Sequence, residues 1–448
     1  MNKTVQEQRA RIHNINRAEQ GNHRYHRRIR IQDYLSGQAI YGLGDYPARV
    51  DAAPTDYDRA LIKKLRECGV DLIQVHEEWN DACRLYGGDK FNAVNKEGMK
   101  EFIRLCHDNG IKIIAYVSSG YFQHGDPDDR PEFHSPEDQL LSNSYMNYHH
   151  NNQDSPEWRE YVIPRTLNVM DEYGFDGIFN DCYFAHRDKP EDEKIYGDLS
   201  YNPAAEDLLC QIYSEIKRRG GIYKVHAGWN WPTPCKDHTC DYLWIGESMK
   251  GLELGAGKDF PQYVVPCLDC TCNSTSTEAY FAYTIPFLQF PLLKIGRPLQ
   301  GNNTDLPNVT YYGNRNGGEV AFFRSVKNYM DEHPDGPYVY SLWSSIPDDP
   351  NEFTLWAKYM KLYKPMVAEN SLAYIELREC DAIKSELPER VIASMFVNEQ
   401  IYLVVSNLEE KAYTLELDGK WRNRITGEVG SCFTINHEAL CFLEKCDH

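Results

Sequence analysis

From about Tyr41 the chain alternates short β-rich runs with amphipathic helical stretches, and this alternation restricts it to a parallel sheet wrapped by helices. Runs at 39–43, 70–79, 111–118, 174–181, 222–229 and 241–247 read as strands. Between them, helices are predicted from Thr55 to the Cys68-Gly turn, around 98–109, at 156–173 and at 204–219. A seventh unit is predicted within 278–293, an eighth strand at 337–343 and a closing helix at 351–367. Eight such units make an α/β protein with a (β/α)8 TIM barrel. Beyond about Ser371 the rhythm changes to short strands separated by turns such as Asp418-Gly and Thr426-Gly. The predicted division is an N-terminal extension at 1–38, a catalytic barrel at 39–370 and a small antiparallel β-sandwich domain at 371–448.

Barrels carry their chemistry at the C-terminal ends of their strands, so the last positions of each strand are where reactive residues are to be sought. Asp181 closes Gly177-Ile-Phe-Asn-Asp181, a run that is apolar until its final two residues. It reads as a catalytic carboxylate, against the plainer role of a cap or loop anchor. Glu247 closes Leu243-Trp-Ile-Gly-Glu247, where Gly246 leaves room and Trp244 lowers the local polarity that favours a charged carboxylate. Its plainer role is a salt bridge across the barrel mouth. Glu77 and Glu78, ending the second strand, compete for the same acid role and otherwise hold substrate hydroxyls.

Two carboxyl groups flanking a bond are what glycoside hydrolysis requires, one to protonate the leaving oxygen and one to attack or to activate water. His76, Trp79, Tyr116, Asn180, Tyr183, His226, Trp229, Trp244 and Trp343 fall at or near the same strand ends. Each could equally be barrel packing. Together they suit a polyhydroxylated ligand, which needs many hydrogen bonds and a flat ring to stack on; the 31 Tyr and 8 Trp supply such rings, although aromatics also simply fill cores. The polar loop at 120–155 is too long to be a mere connection.

The run Phe175-Asp-Gly-Ile-Phe-Asn-Asp181-Cys-Tyr resembles the fourth-strand motif of retaining α-glycosidases, those of family 31 and of the clan D α-galactosidases. In both, the nucleophile lies five residues after the strand's opening Asp, a spacing kept from Asp176 to Asp181. Trp244-Ile-Gly-Glu247 is similar to the sixth-strand motif that carries the acid/base in family 31, with Glu in place of Asp. The short N-terminal segment does not match the large β domain that usually precedes a family 31 barrel, which argues against that family itself, and no particular family is assigned. The resemblance implies a retaining glycoside hydrolase or transglycosidase acting on oligosaccharides or small glycosides, with Asp181 as nucleophile and Glu247 as acid/base.

A net charge of −19 argues against general nucleic-acid binding and against anionic membranes. The local exception is the cluster of Arg24, Arg27, Arg28 and Arg30 with His23 and His26, read as a solvated or subunit-bridging segment in preference to an RNA-binding arm. No apolar run reaches the roughly 20 residues of a membrane span. The start has no signal-peptide core, so a cytoplasmic location is expected, with the 14 cysteines reduced. The expected partner is a carbohydrate, and a homo-oligomer is left open.

No cofactor is expected and no metal site is assigned. Cys235, His238, Cys240, Cys267, Cys270 and Cys272 match no zinc spacing well and read as packed thiols. Asp126, Asp128 and Asp129 read as a solvated acidic loop in preference to a calcium site. Two rival functions are a metal-dependent barrel hydrolase built on His76, Asp181 and His226, and a non-catalytic sugar-binding barrel.

Overall fold

The computed structural model describes residues 4–44, 49–123, 125–135, 141–143, 146–181, 203–227, 239–245, 260, 262–266, 277–298, 332 and 352–446. Eight parallel strands form one sheet: β1 (Gln38–Gly42), β2 (Leu72–Val75), β3 (Lys112–Ser118), β4 (Gly177–Asp181), β5 (Ile222–Ala227), β6 (Tyr242–Ile245), β7 (Tyr263–Pro266) and β8 (Leu293–Gly296). They lie in the order β7-β6-β5-β4-β3-β2-β1-β8. The sheet curls until its two edges meet, the Leu292 N–H donating to the Pro266 carbonyl at 2.8 Å. Lys224 on β5 reaches across the interior to Gln38 on β1, Nζ to Oε1 3.1 Å.

Helix α1 (Val5–Gly21) precedes the sheet; α2 (Asp56–Cys68), α3 (Lys96–Asp108), α4 (Pro156–Tyr173) and α5 (Pro203–Arg218) follow β1 to β4 in turn. After β7 comes α6 (Thr277–Thr284), and after β8 comes α7 (Glu352–Tyr363). Local chemistry sets these ends. Thr55 and Asp58 form a capping box that starts α2, and Gly69 at φ 104° ends it in the left-handed conformation that glycine adopts freely. Ser155 caps α4, and Gly174 at φ 86° closes it. Gly177 opens β4 for a different reason: a Cβ there would stand 1.9 Å from the Ile222 carbonyl oxygen of β5.

Two sequence expectations need correction. The apolar run at 278–293 holds helix α6 and a helical turn, not a strand, while the seventh strand is the earlier Tyr263–Pro266. The eighth position, between the far edge and β1, is filled by Leu293–Gly296. The run at 337–343, predicted for that position, lies outside the described residues. Both strands have only four residues, too few to show a period.

The C-terminal strands β9 (Leu372–Cys380), β10 (Val391–Val397), β11 (Ile401–Asn407), β12 (Tyr413–Asn423), β13 (Val429–Ile435) and β14 (Ala439–Lys445) are antiparallel. They are linked in one run of hydrogen-bonded neighbours, and residues 22–30 of the predicted extension add a seventh strand at its edge, paired with β9. That edge strand carries the basic cluster, a common way of keeping a sheet edge from pairing with another chain. Its charges meet partners within the chain: Arg28 binds Glu19, and His23 lies 2.8 Å from Asp381. One face of the sheet adds Phe396, Tyr402, Val404 and Phe442 to the core of the curled parallel sheet and its helices. The other buries Leu403, Val405, Leu415, Trp421 and Phe433 in a second core. Among the described residues no helix is long and apolar enough to cross a membrane.

Candidate active site

Parallel pairing sets Ser118, Asp181, His226 and Trp244 in one row across the C-terminal ends of β3, β4, β5 and β6. The register makes Asp181 and His226 direct neighbours, and their side chains meet, His226 Nδ1 to Asp181 Oδ1 at 3.0 Å. The other carboxylate oxygen, Oδ2, accepts the Tyr116 hydroxyl at 2.9 Å. Burial opposes the charge on Asp181, yet the His226 bond and charge, followed by the Tyr116 bond, outweigh it and hold the pKa below the usual carboxylate value. Asp181 is thus an ionised carboxylate with both oxygens held, its side chain still 20% exposed at the C-terminal end of the sheet.

Aromatic rings wall this group. Trp244 lies 4.6 Å from the His226 ring and 4.9 Å from Phe179, between ring centres. His76, just past the end of β2, packs against Tyr116 at 5.1 Å and Trp244 at 6.3 Å. Burial pushes the His76 pKa down to about 4, so the ring is neutral at ordinary pH. His76 Nδ1 and Trp244 Nε1 are both buried without a hydrogen-bond partner among the described residues. Buried polar atoms in that state concentrate where a ligand or water is to be met.

Two residues in this site carried no sequence signal as site residues. The Tyr121 hydroxyl hydrogen-bonds that of Tyr116, continuing a chain of hydroxyls that ends on Asp181. Burial, then the charge of Asp181, raises the Tyr116 pKa well above the ordinary tyrosine value, so it remains a donor. Lys90 Nζ donates to the Tyr121 carbonyl at 2.9 Å and sits 4.4 Å from that ring's centre. Burial pushes its pKa down to about 7 against the raising charges of Asp126, Asp181 and Glu77. Lys90 lies in the loop between β2 and α3, where no periodicity marks it, and Tyr121 opens a short three-stranded sheet with Met146–His150 and Leu141–Asn143 inside the long loop.

The remaining sequence candidates divide. Glu77 and Glu78 are both buried, and Glu78 Oε1 accepts the Leu43 N–H at 3.0 Å, which ties it to the end of β1. Glu77 acts electrostatically on Lys90, Tyr116 and Tyr121, the same residues that feel Asp181. Asn180 points to the other side of β4, its amide bonded to Ser119 and to the Tyr223 hydroxyl, and Trp79 donates its indole N–H to the Tyr116 carbonyl. These hydrogen bonds brace the strand ends. Tyr183, Trp229, Glu247 and Trp343 lie outside the described residues, as do Cys235, His238, Cys267, Cys270 and Cys272.

Among the described residues one group of three side chains converges as metal ligands would, Asp129, His134 and His149. His76, Asp181 and His226 do not form such a group among the described residues. Asp126 and Asp128 are engaged by Arg84, each at 2.9 Å.

No protein-family model matches the sequence, and no curated protein matches it significantly. Solved structures do share the fold. A noncanonic maltogenic α-amylase, AmyB, from Thermotoga neapolitana superposes with a TM-score of 0.54 at 13% identity, over 92% of this chain and 99% of its own. An α-amylase from Geobacillus thermoleovorans, solved with acarbose, gives 0.54 at 12% identity over 91% and 98%. An Anoxybacillus α-amylase gives 0.52 at 12% identity over 92% and 98%. At these identities the likeness is one of fold: a curled parallel α/β sheet followed by an antiparallel β domain.

Proposed function

We propose that this chain is a retaining glycoside hydrolase, or transglycosidase, on a complete (β/α)8 barrel, with Asp181 as the nucleophile and Glu247 as the acid/base. The observation that carries the reading is the state of Asp181: ionised, open to the barrel mouth, and held at both oxygens by His226 and Tyr116. In the first step an Asp181 oxygen bonds to the anomeric carbon as the glycosidic bond breaks and Glu247 protonates the leaving oxygen. The second oxygen stays anchored, so the carboxylate reaches the transition state with little reorientation. In the second step water or an acceptor sugar gives its proton to Glu247 and releases Asp181. Trp244 and the neighbouring rings offer the stacking surface that a pyranose needs.

The three structural relatives named above are α-amylases, so malto-oligosaccharides and small α-glucosides are the first substrates to test. Replacing Asp181 with Ala should lower kcat/KM by at least about three decades, the loss of several kcal/mol of transition-state stabilisation. An activated fluoroglycoside should label Asp181 in the wild type, with the modified peptide read by mass spectrometry. Full activity in Asp181→Ala, or a label on another carboxylate, would remove Asp181 from this role. Glu247→Gln tests the acid in parallel; if it leaves activity intact, Glu77 becomes the candidate, because its charge bears on the same buried tyrosines.

A further inference from the structure

We propose that Asp129, His134 and His149 form a binding site for one divalent transition-metal ion of the zinc class, on the long loop that follows β3. Their ligand atoms all lie within 4.8 Å of one another. His134 Nε2 is 2.7 Å from Asp129 Oδ1, and the two imidazole rings stack at 4.0 Å between centres, only 15° from parallel. Two imidazoles and one carboxylate are the donor set that zinc takes, with a fourth position left to water. Around a tetrahedral zinc, ligand atoms stand about 3.3 Å apart. The Asp129–His134 pair would open by about half an ångström and the ion would replace their shared proton, while His149 would turn inward by roughly an ångström.

The three ligands sit on separately anchored pieces of backbone, as a binding site requires. Asp129 closes a turn on Asp126 through its N–H, at 3.0 Å to the Asp126 carbonyl. His134 ends the helical turn Pro131–Phe133, whose Phe133 is fully buried against Phe122, Trp158 and Tyr161. His149 lies on the strand Met146–His150, paired with Phe122. Of the three aspartates in this run, Arg84 takes Asp126 and Asp128, and Tyr161 also donates to Asp128 at 3.0 Å. Asp129 faces the two histidines. An ion there would tie the Asp126–Asp129 turn to the short three-stranded sheet whose edge strand carries Tyr121.

The test uses the full chain with Zn2+ and Co2+ as probes. After equilibrium dialysis against Zn2+, the wild type should retain one more molar equivalent than Asp129→Asn or His149→Gln, all three having unchanged circular dichroism. Substituted Co2+ should show visible d–d bands without the near-ultraviolet charge-transfer bands of a thiolate. That spectrum is read on the wild type alone, so it decides the ligand class even if a variant fails to fold. Zn2+ should also raise the Tm of the wild type and not that of Asp129→Asn. Equal retention in wild type and variants, no bound equivalent in the wild type, or a spectrum of thiolate ligation would each overturn the site.

Discussion

At the scale of single residues, the property that matters is how Asp181 keeps its charge while half enclosed. Burial alone would raise its pKa; His226 and Tyr116 reverse the sign. The acid limb of kcat/KM should therefore lie below the ordinary carboxylate range and move to higher pH in His226→Ala, where burial acts with less opposition. Tyr116→Phe should shift it the same way and cost about ten- to a hundredfold in kcat/KM, the worth of one hydrogen bond to a charged group. A pH–rate profile checks both, and limbs unmoved in both variants would show that neither residue sets the ionisation. His76 gives a stability test. Its native pKa, about 4, is below the unfolded imidazole value, so the unfolded chain binds the extra proton and stability falls as pH drops through the unfolded pKa toward the native one. Between about pH 7 and pH 5 the wild type should lose about 2 kcal/mol relative to His76→Phe in urea unfolding; parallel losses would mean that His76 ionises freely. Asp181, His76, Tyr116, His226 and Trp244 were legible from sequence because each stands at or near the end of a recognisable strand. Tyr121 and Lys90 were not, since a contact made by a folded loop leaves no periodicity behind.

Among elements, the junction that ties β1 to β8 within the curled sheet centres on Asp58. It belongs to the capping box of α2, accepts the Tyr41 hydroxyl of β1 at 2.5 Å and binds Arg297, next after β8, with Nη2 to Oδ2 at 2.8 Å. Arg297 also donates to the carbonyls of Leu43 and Ala53. Asp58 is wholly buried; burial raises its pKa, but the Arg297 and Tyr41 bonds prevail and keep it low. One carboxylate thus joins β1, α2 and the chain leaving β8. Asp58→Asn leaves the guanidinium buried without its counter-charge and should cost about 3–5 kcal/mol. Denaturant unfolding measures it, and a loss below about 1 kcal/mol would mean that Arg297 finds solvent or another acceptor. The capping box was readable at Thr55, as were the glycine stops, because caps use local chemistry. The Arg297 partnership spans 239 positions, a separation no local pattern reports. Strands β7 and β8 escaped local patterning for a related reason: each has four residues, three of them buried, too few to show an alternation.

For the whole molecule, the sequence shows a change of rhythm near Ser371, and from that change alone the C-terminal sheet looks separable. Packing joins it closely to the helices of the preceding sheet. Phe442 lies against Tyr359 of α7 at 5.9 Å between ring centres, Phe396 meets Tyr363 at 6.5 Å, and Arg424 donates to the Leu362 carbonyl at 2.7 Å. Phe396, Tyr402, Val404 and Phe442 belong to the same continuous core as the barrel strands. The chain's own start is woven into that sheet, with Asn22–Arg30 pairing along β9 and Arg27 reaching the Phe260 carbonyl at 3.1 Å. A chain ended after Val367 would uncover the apolar face of α7 and leave the Asn22–Arg30 strand without the partner that satisfies its backbone. Each large aromatic so exposed costs about 1.5–3 kcal/mol, and two or three of them match the whole stability of an ordinary domain. The shortened chain is expected to aggregate or to melt without cooperativity, read by size-exclusion chromatography and calorimetry. A soluble monomer with a sharp transition within a few degrees of the full chain would show that the barrel folds alone and that the shared core is a docking surface, not a common nucleus.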